Sequence, residues 1–120
     1  MGGEQGRLVL VCEAVHALSQ RGAPVTVNAI AYEIGIDQSG ASRLIKNATA
    51  ADYLVMAASA TDGRRREASL TPAGRFMLDE AHRWQESIFV QLTTGWSDEK
   101  RHAFQQAMTD MMDRSYGTDA

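Results

Sequence analysis

The sequence predicts a mainly helical fold that contains one small β-hairpin. Through most of the 120-residue chain, apolar residues recur at three- and four-residue intervals, which is the spacing of amphipathic helices. Residues 53–70 differ, because two short strand-like runs lie on either side of Asp62-Gly63, a strong hairpin signal. A hydrophobic content of 44% suits one globular domain of this length, so helices and hairpin are expected to form one continuous domain.

The first helix is predicted over Arg7–Gln20, with a stop at Gly22. Its apolar positions follow the helical spacing and are Leu8, Val11, Cys12, Val15 and Leu18. Thr26 supplies an N-cap for a short second helix over Val27–Ile34, and Gly35 ends that helix.

A third helix is predicted from Gln38 to about Ala51, with Asp37 as its N-cap. One face is apolar and consists of Ala41, Leu44, Ile45 and Ala48. The opposite face consists of residues that can hydrogen-bond, namely Gln38, Ser39, Ser42, Arg43, Lys46 and Asn47. Two short helices joined by a glycine-containing turn, the second with a polar outer face, are typical of a helix-turn-helix.

The hairpin is predicted to follow directly. Tyr53–Met56 and Glu67–Leu70 are expected to pair as strands around a two-residue turn at Asp62-Gly63. Three consecutive arginines lie on or beside its tip: Arg64, Arg65 and Arg66. The order helix, short helix, polar-faced helix and hairpin is that of a winged helix-turn-helix.

Two longer helices are predicted at the C-terminal end. Thr71 caps the first, Pro72 is its first residue, and it runs to about Thr93. Ser97 caps the last helix, which runs to about Arg114 before a tail, residues 115–120, that is expected to fray.

These two helices carry more large apolar groups than a small winged domain can cover. A second copy of the chain is the simplest partner for such a surface. We therefore predict a winged region, 1–75, and a helical dimerisation region, 76–114. The residues expected to hold the homodimer are Trp84, Ile88, Phe104, Met108 and Met111.

Composition argues against several classes of protein. No apolar run reaches membrane-spanning length, no secretory signal opens the chain, and a single cysteine suits the reducing cytoplasm. His16, His82 and His102 lack ligand spacing with one another or with Cys12, so no metal site is expected. Neither a nucleophile–base pair nor a phosphate loop occurs, and we predict no enzyme and no cofactor.

Charge is divided unevenly along the chain. Residues 1–75 carry net +1 and residues 76–120 net −4, which together give the −3 of the whole chain. DNA recognition needs local positive charge rather than a basic total. The candidate DNA-binding residues are Gln38, Ser39, Ser42, Arg43, Lys46, Arg64 and Arg65. The alternative for each is an ordinary solvated face.

Each candidate has an expected role. Gln38 and Arg43 lie early in the third helix, where base edges are contacted, whereas Lys46 suits a phosphate. Arg64 is expected to contact the backbone or the minor groove. Asp62 is expected to orient Arg64 or to cap the turn, since its own charge would be repelled by DNA.

Two strings, GIDQSGASRLI and DGRRREASLTPAG, resemble the MarR family of bacterial transcriptional regulators over residues 8–112. The most specific part is Asp62-x-Arg64 followed by Leu70-Thr71-x-x-Gly74. The resemblance implies a homodimer with interlocking terminal helices, a recognition helix in the major groove and a wing arginine in the minor groove. It also implies repression relieved by a small phenolic or anionic effector bound between the winged body and the dimerising helices.

The chain departs from the family in three places. From the resemblance we expect it to begin at the family's second helix, without the extra N-terminal helix that completes the dimer interface. Asn47–Asp52 replaces a leucine-containing run that ends in glycine, and Met56-Ala57 stands where an arginine is common. A peroxide-sensing branch uses a reactive cysteine, but Cys12 lies on an apolar stripe without a nearby basic residue, so a packing role is expected.

Two functions remain open from the sequence. The first is a dimeric, sequence-specific regulator of transcription, a repressor that binds double-stranded DNA at a pseudo-palindromic operator. The alternative is a winged-helix protein-interaction module with weak or no DNA binding, which engages another protein through its acidic helical end.

Overall fold

The computed structural model describes residues 3–116, the last of them by its backbone alone. These residues form α1 Gly3–Gln20, α2 Val27–Ile34, α3 Gln38–Ala50, β1 Leu54–Ala58, β2 Arg66–Leu70, α4 Pro72–Leu92 and α5 Asp98–Tyr116. The order of elements and the antiparallel hairpin confirm the predicted fold class, a mainly helical winged helix-turn-helix followed by two further helices. The chain divides into two compact units, the first ending at Arg83 and the second beginning at Trp84.

Helix α1 forms the centre of the first unit. All five residues of its predicted apolar stripe are buried, and Val11 and Cys12 are completely inaccessible. Side chains from the other elements of this unit pack on them, including Ile30, Ile45, Leu54, Ala68 and Leu78. The core is therefore shared by the helix-turn-helix, the hairpin and the first part of α4.

The caps predicted for α2 and α3 are present. Thr26 Oγ1 accepts a hydrogen bond from the Ala29 amide at 3.1 Å, and Asp37 Oδ1 accepts one from the Gly40 amide at 2.6 Å. Gly35 ends α2 with φ of 84°, a left-handed conformation that glycine adopts without steric cost. Local sequence chemistry thus places the start of α3 as predicted.

The hairpin turn differs from the prediction. The strands pair from Leu54↔Leu70 to Ala58↔Arg66, which leaves a seven-residue loop, 59–65, in place of a two-residue turn at Asp62-Gly63. The tight turn lies inside this loop, where the Arg65 amide donates to the Asp62 carbonyl at 3.0 Å. Gly63 does not adopt the positive φ that a two-residue hairpin turn would ask of it.

The base of the hairpin is tied to its surroundings on both sides. The Ala68 amide donates to the Val25 carbonyl at 2.9 Å, which links β2 to the segment before α2. At the other end the Thr71 amide donates to the Tyr53 carbonyl at 3.0 Å, and Thr71 Oγ1 accepts from the Gly74 amide at 2.9 Å. Thr71 therefore caps α4 and closes the hairpin at once.

The second unit contains the end of α4 and all of α5. Ser97 Oγ accepts from the Lys100 amide at 3.1 Å, the predicted cap. Helix α5 continues to Tyr116, two residues past the predicted end at about Arg114. The rest of the predicted tail, 117–120, lies outside the described residues.

Candidate nucleic-acid interface

The outer face of α3 carries the largest group of predicted DNA-binding side chains. Gln38, Ser39, Ser42, Arg43 and Lys46 are all exposed, while Ala41, Ile45 and Ala48 are buried on the opposite face. Within residues 3–116, neither the Arg43 guanidinium nor the Lys46 ammonium forms a hydrogen bond or an ion pair. Both cations are therefore available to a ligand of opposite charge.

Glycine at position 40 allows the close cap at the start of α3. A Cβ built on Gly40 would lie 2.8 Å from Asp37 Oδ1, so any other residue would push the capping carboxylate away. The capping bond is charge-assisted and short. Gly40 and Asp37 together fix the backbone from which Gln38, Ser39 and Arg43 project.

Asp62 organises the tip of the wing, which we define as β1, β2 and the loop 59–65. Its carboxylate accepts from the Arg64 amide at 3.1 Å, and its carbonyl accepts from the Arg65 amide. Asp62 thus bonds the loop backbone rather than a guanidinium. Arg66 Nη2 donates to the Met56 carbonyl at 3.2 Å, whereas the Arg64 guanidinium has no such bond in the described part of the chain.

A groove of about 750 Å³ brings the wing and the helix-turn-helix together. It is lined by Ala23, Pro24, Thr26, Val27, Asn28, Ala29, Gln38, Arg64, Arg65 and Arg66. Its lining therefore combines three arginines of the wing with the first residues of α2 and α3. A polyanion lying in the groove would meet cations and a helix N-terminus together.

The other predicted residues lie elsewhere on α3. Ser39, Ser42 and Lys46 are exposed but do not line this groove. Arg43 lines a second cleft of about 700 Å³ with Arg7, Leu10 and Leu44. The DNA contacts assigned to these side chains and to the wing remain predictions.

Two residues of the groove were missed by the sequence analysis. Thr26 was considered only as an N-cap, and Asn28, in the first turn of α2, was not considered at all. The N-cap at Thr26 could have identified both residues from the sequence. A capped helix N-terminus favours anions through its free amides and its dipole.

Glu67 was likewise treated only as a strand residue. Its Oε1 accepts from the Val25 amide at 3.0 Å. This hydrogen bond lowers the pKa of Glu67, and the Ser59 side chain and the nearby positive charge of Arg65 add to the effect. The wing therefore has an ionised carboxylate close to its loop, one pair before the end of the β1–β2 ladder.

Cys12 is completely buried, and burial followed by the neighbouring charge of Glu13 raises its pKa to about 11. The thiol therefore stays protonated near neutral pH, and the thiolate that reacts with peroxide is scarce. Across residues 3–116 no three His, Cys, Asp or Glu side chains cluster as metal ligands would. In the same range no helix combines the length and hydrophobicity needed to cross a membrane.

The model of the MarR family matches residues 10–65, which confirms the resemblance over most of α1, the helix-turn-helix, β1 and the wing loop. Among solved structures, a mutant of S. aureus MepR is similar with a TM-score of 0.70 and 20% identity over 95% of this chain and 80% of that one. The S. aureus MepR–DNA complex is similar with a TM-score of 0.65 and 21% identity, covering 95% of this chain and 81% of the other.

A third similar structure is the heme sensor protein PefR from Streptococcus agalactiae in complex with heme. Its TM-score is 0.60 at 19% identity, over 94% of this chain and 74% of that one. At these identities the structures establish a shared fold. No curated protein matches the sequence significantly.

Proposed function

We propose that this chain, whose residues 10–65 match the MarR family model, is a DNA-binding regulator of transcription. The observation that carries the proposal is the groove that Gln38 and the wing arginines line together. MepR, which has the same fold, has been crystallised with DNA, and this supports the same use of the fold here.

In the proposed complex α3 enters the major groove of DNA. Arg43 contacts a base edge, and Gln38 is placed to pair with adenine. Lys46 neutralises a phosphate further along the helix, and the first turn of α2 meets the backbone through Thr26 and Asn28. Together these contacts combine base recognition with phosphate neutralisation.

The wing contributes the second set of contacts. The Arg64 guanidinium has no intramolecular partner among the described residues, so little is lost when it turns to a phosphate or into the minor groove. Arg65 lies beside it on the exposed loop. Contacts of this kind add affinity on most sequences and make binding steeply dependent on salt.

The active form is proposed to be a homodimer held by α4 and α5. Trp84, Phe104, Met108 and Met111 are 41–56% exposed in the single chain, and Ile88 is half-buried. Every described residue of α5 except half-buried Arg101 is exposed, despite the apolar stripe of that helix. A second copy would cover these side chains and place two α3 helices on a pseudo-palindrome.

Repression released by a small ligand completes the proposal. PefR, which has a similar fold, is known in complex with heme, a small molecule. From this comparison we propose only that a small effector, phenolic or anionic, releases this chain from DNA. A panel of such compounds, tested for release of bound DNA and for a shift in melting temperature, would identify the class. A panel without either effect removes this part of the proposal.

Selection of genomic DNA fragments with the purified chain tests the function directly. We expect enrichment of a motif with two related half-sites about one helical turn, roughly 10 base pairs, apart. Binding to the selected duplex and to random duplex should fall steeply between low and moderate salt.

Failure to retain any duplex at low salt would contradict the proposal. The winged-helix protein-interaction module would then be the better account of the same fold. Enrichment without a motif, but with a steep salt slope, would retain DNA binding and remove sequence specificity.

A further inference from the structure

We propose that Glu67 is a positioning residue that holds the arginine-bearing wing against the start of the helix-turn-helix, so that the wing stands ready for DNA. The inference deepens the proposed function and rests on it. It assigns to an acidic side chain a role that favours the binding of a polyanion.

Glu67 connects two segments that are distant in the sequence. Its Oε1 accepts from the amide of Val25, 42 residues earlier, at 3.0 Å. At the start of the wing loop the Ser59 hydroxyl oxygen accepts from the Thr61 amide at 3.3 Å, and Ser59 contributes to the lowered pKa of Glu67. A hydrogen bond through Glu67 therefore ties β2 to the segment before α2.

Backbone pairing reinforces this connection. The next residue, Ala68, donates to the Val25 carbonyl at 2.9 Å, so two adjacent bonds join β2 to one residue. The Ser59 amide donates to the Arg65 carbonyl at 2.7 Å, which closes the loop on the side of the arginines. Val25 lies between Pro24 and Thr26, which line the same groove as the three arginines. Glu67 thus joins β2, the strand that begins with Arg66, to a segment that lines the groove.

The opposite expectation follows from charge alone. Glu67 is close enough to Arg65 for their charges to interact, so removing the carboxylate would make the groove more positive. Simple electrostatics then predicts tighter DNA binding after its removal. Positioning predicts weaker binding, because the arginines lose their fixed place and ordering them on DNA costs entropy. The two accounts differ in sign.

The test compares full-length wild type with Glu67→Leu and Glu67→Gln in titrations of the selected duplex at several salt concentrations. Glu67→Leu is expected to bind about three- to tenfold more weakly, the effect of one lost net hydrogen bond. Its salt slope should flatten by about one unit per subunit as a wing contact is lost. Glu67→Gln keeps an oxygen acceptor for the Val25 amide and should restore both affinity and slope close to wild type.

Glu4→Leu is the matched control, since it removes the same charge from the exposed first turn of α1. We expect it to bind as tightly as wild type or more tightly. The inference is overturned if Glu67→Leu binds the duplex as tightly as wild type does. It is also overturned if Glu67→Gln binds as weakly as Glu67→Leu.

A leucine variant that does not fold leaves the decision to Glu67→Asp, which keeps the charge but shortens the side chain by one methylene and so withdraws the acceptor from the Val25 amide. A flattened salt slope supports the inference, and an unchanged slope overturns it. Wild type that binds no duplex contradicts the proposed function itself. If wild type binds duplex and Glu67→Leu binds it equally well, only the role of Glu67 is contradicted.

Discussion

Among the glycines that the structure describes, Gly74 has the least room for a side chain. It is buried in the first turn of α4, and a Cβ built on it would lie 2.1 Å from the Tyr53 carbonyl oxygen. That oxygen already accepts from the Thr71 amide, so it cannot move freely. The family motif Leu70-Thr71-x-x-Gly74 therefore has a physical reason, namely a cap and a close backbone approach three residues apart.

Gly74→Ala is expected to destabilise the fold by about 2–4 kcal/mol, because backbone atoms must separate to admit the methyl group. Urea unfolding followed by circular dichroism measures this. Gly6→Ala is the control, since it is also helical but has open space around its Cβ. There the better helix propensity of alanine should stabilise by up to about 1 kcal/mol. Equal effects at the two sites would contradict the close approach.

The raised pKa of the buried Cys12 thiol predicts that the folded chain loses stability at alkaline pH. In the folded chain its pKa is about 11, against 9.0 for a free thiol, so between these values only the unfolded chain releases the proton. Stability must therefore fall as pH rises through this window, by up to about 3 kcal/mol. The measurement is urea unfolding at pH 8 and pH 10.5 for wild type and Cys12→Ala. The variant should lose less stability, and parallel losses would exclude a buried neutral thiol.

At the scale of elements, α3 and the wing are expected to make different kinds of DNA contact. Arg43→Ala should cost about 1–3 kcal/mol on the best operator and relax the preference at one base pair in each half-site. Arg64→Ala should weaken binding on most sequences alike and flatten the salt dependence by about one unit per subunit.

Selection from a random library with wild type and both variants separates these roles. Arg83→Ala is a control, since it removes the same charge from α4, outside both elements. If Arg43→Ala selects the same motif as wild type, Arg43 does not recognise a base. Unaltered affinity in both variants would count against DNA binding altogether.

Local chemistry made most elements predictable. Thr26 and Asp37 are N-caps and Gly35 is a C-cap, so a few neighbouring residues determine where α2 and α3 begin and where α2 ends. The prediction of a two-residue wing turn was wrong because Asp62-Gly63 also suits a turn inside a longer loop. The pairing of β1 with β2 decides between the short turn and the longer loop. The bond from the Val25 amide to Glu67 spans 42 residues and leaves no local pattern.

For the whole molecule, the exposed stripe of α5 predicts that stability depends on assembly. Met111→Glu should convert the dimer to monomer, because each copy loses a buried apolar side chain and gains a charge at the interface. The cost is about 3–6 kcal/mol per dimer, counting both copies. Sedimentation equilibrium over a range of concentrations measures it.

Gln106→Glu provides the control on the same helix. It adds the same charge at an exposed polar position on the side away from Phe104 and Met108. That variant should sediment as wild type does. A Met111→Glu protein that remains dimeric would show that α5 is not the interface.

The exposed wing loop also determines where the folded chain is open to proteases. Trypsin cleaves after arginine, and loop tips with exposed polar residues are the preferred sites of nicking. A brief digestion is therefore expected to cut first after Arg64 or Arg65. The β1–β2 ladder and the Ala68–Val25 bond would keep the two fragments associated until a denaturing gel separates them. DNA covering the arginines would delay the cut, so the cleavage rate would report the fraction of protein with an occupied wing.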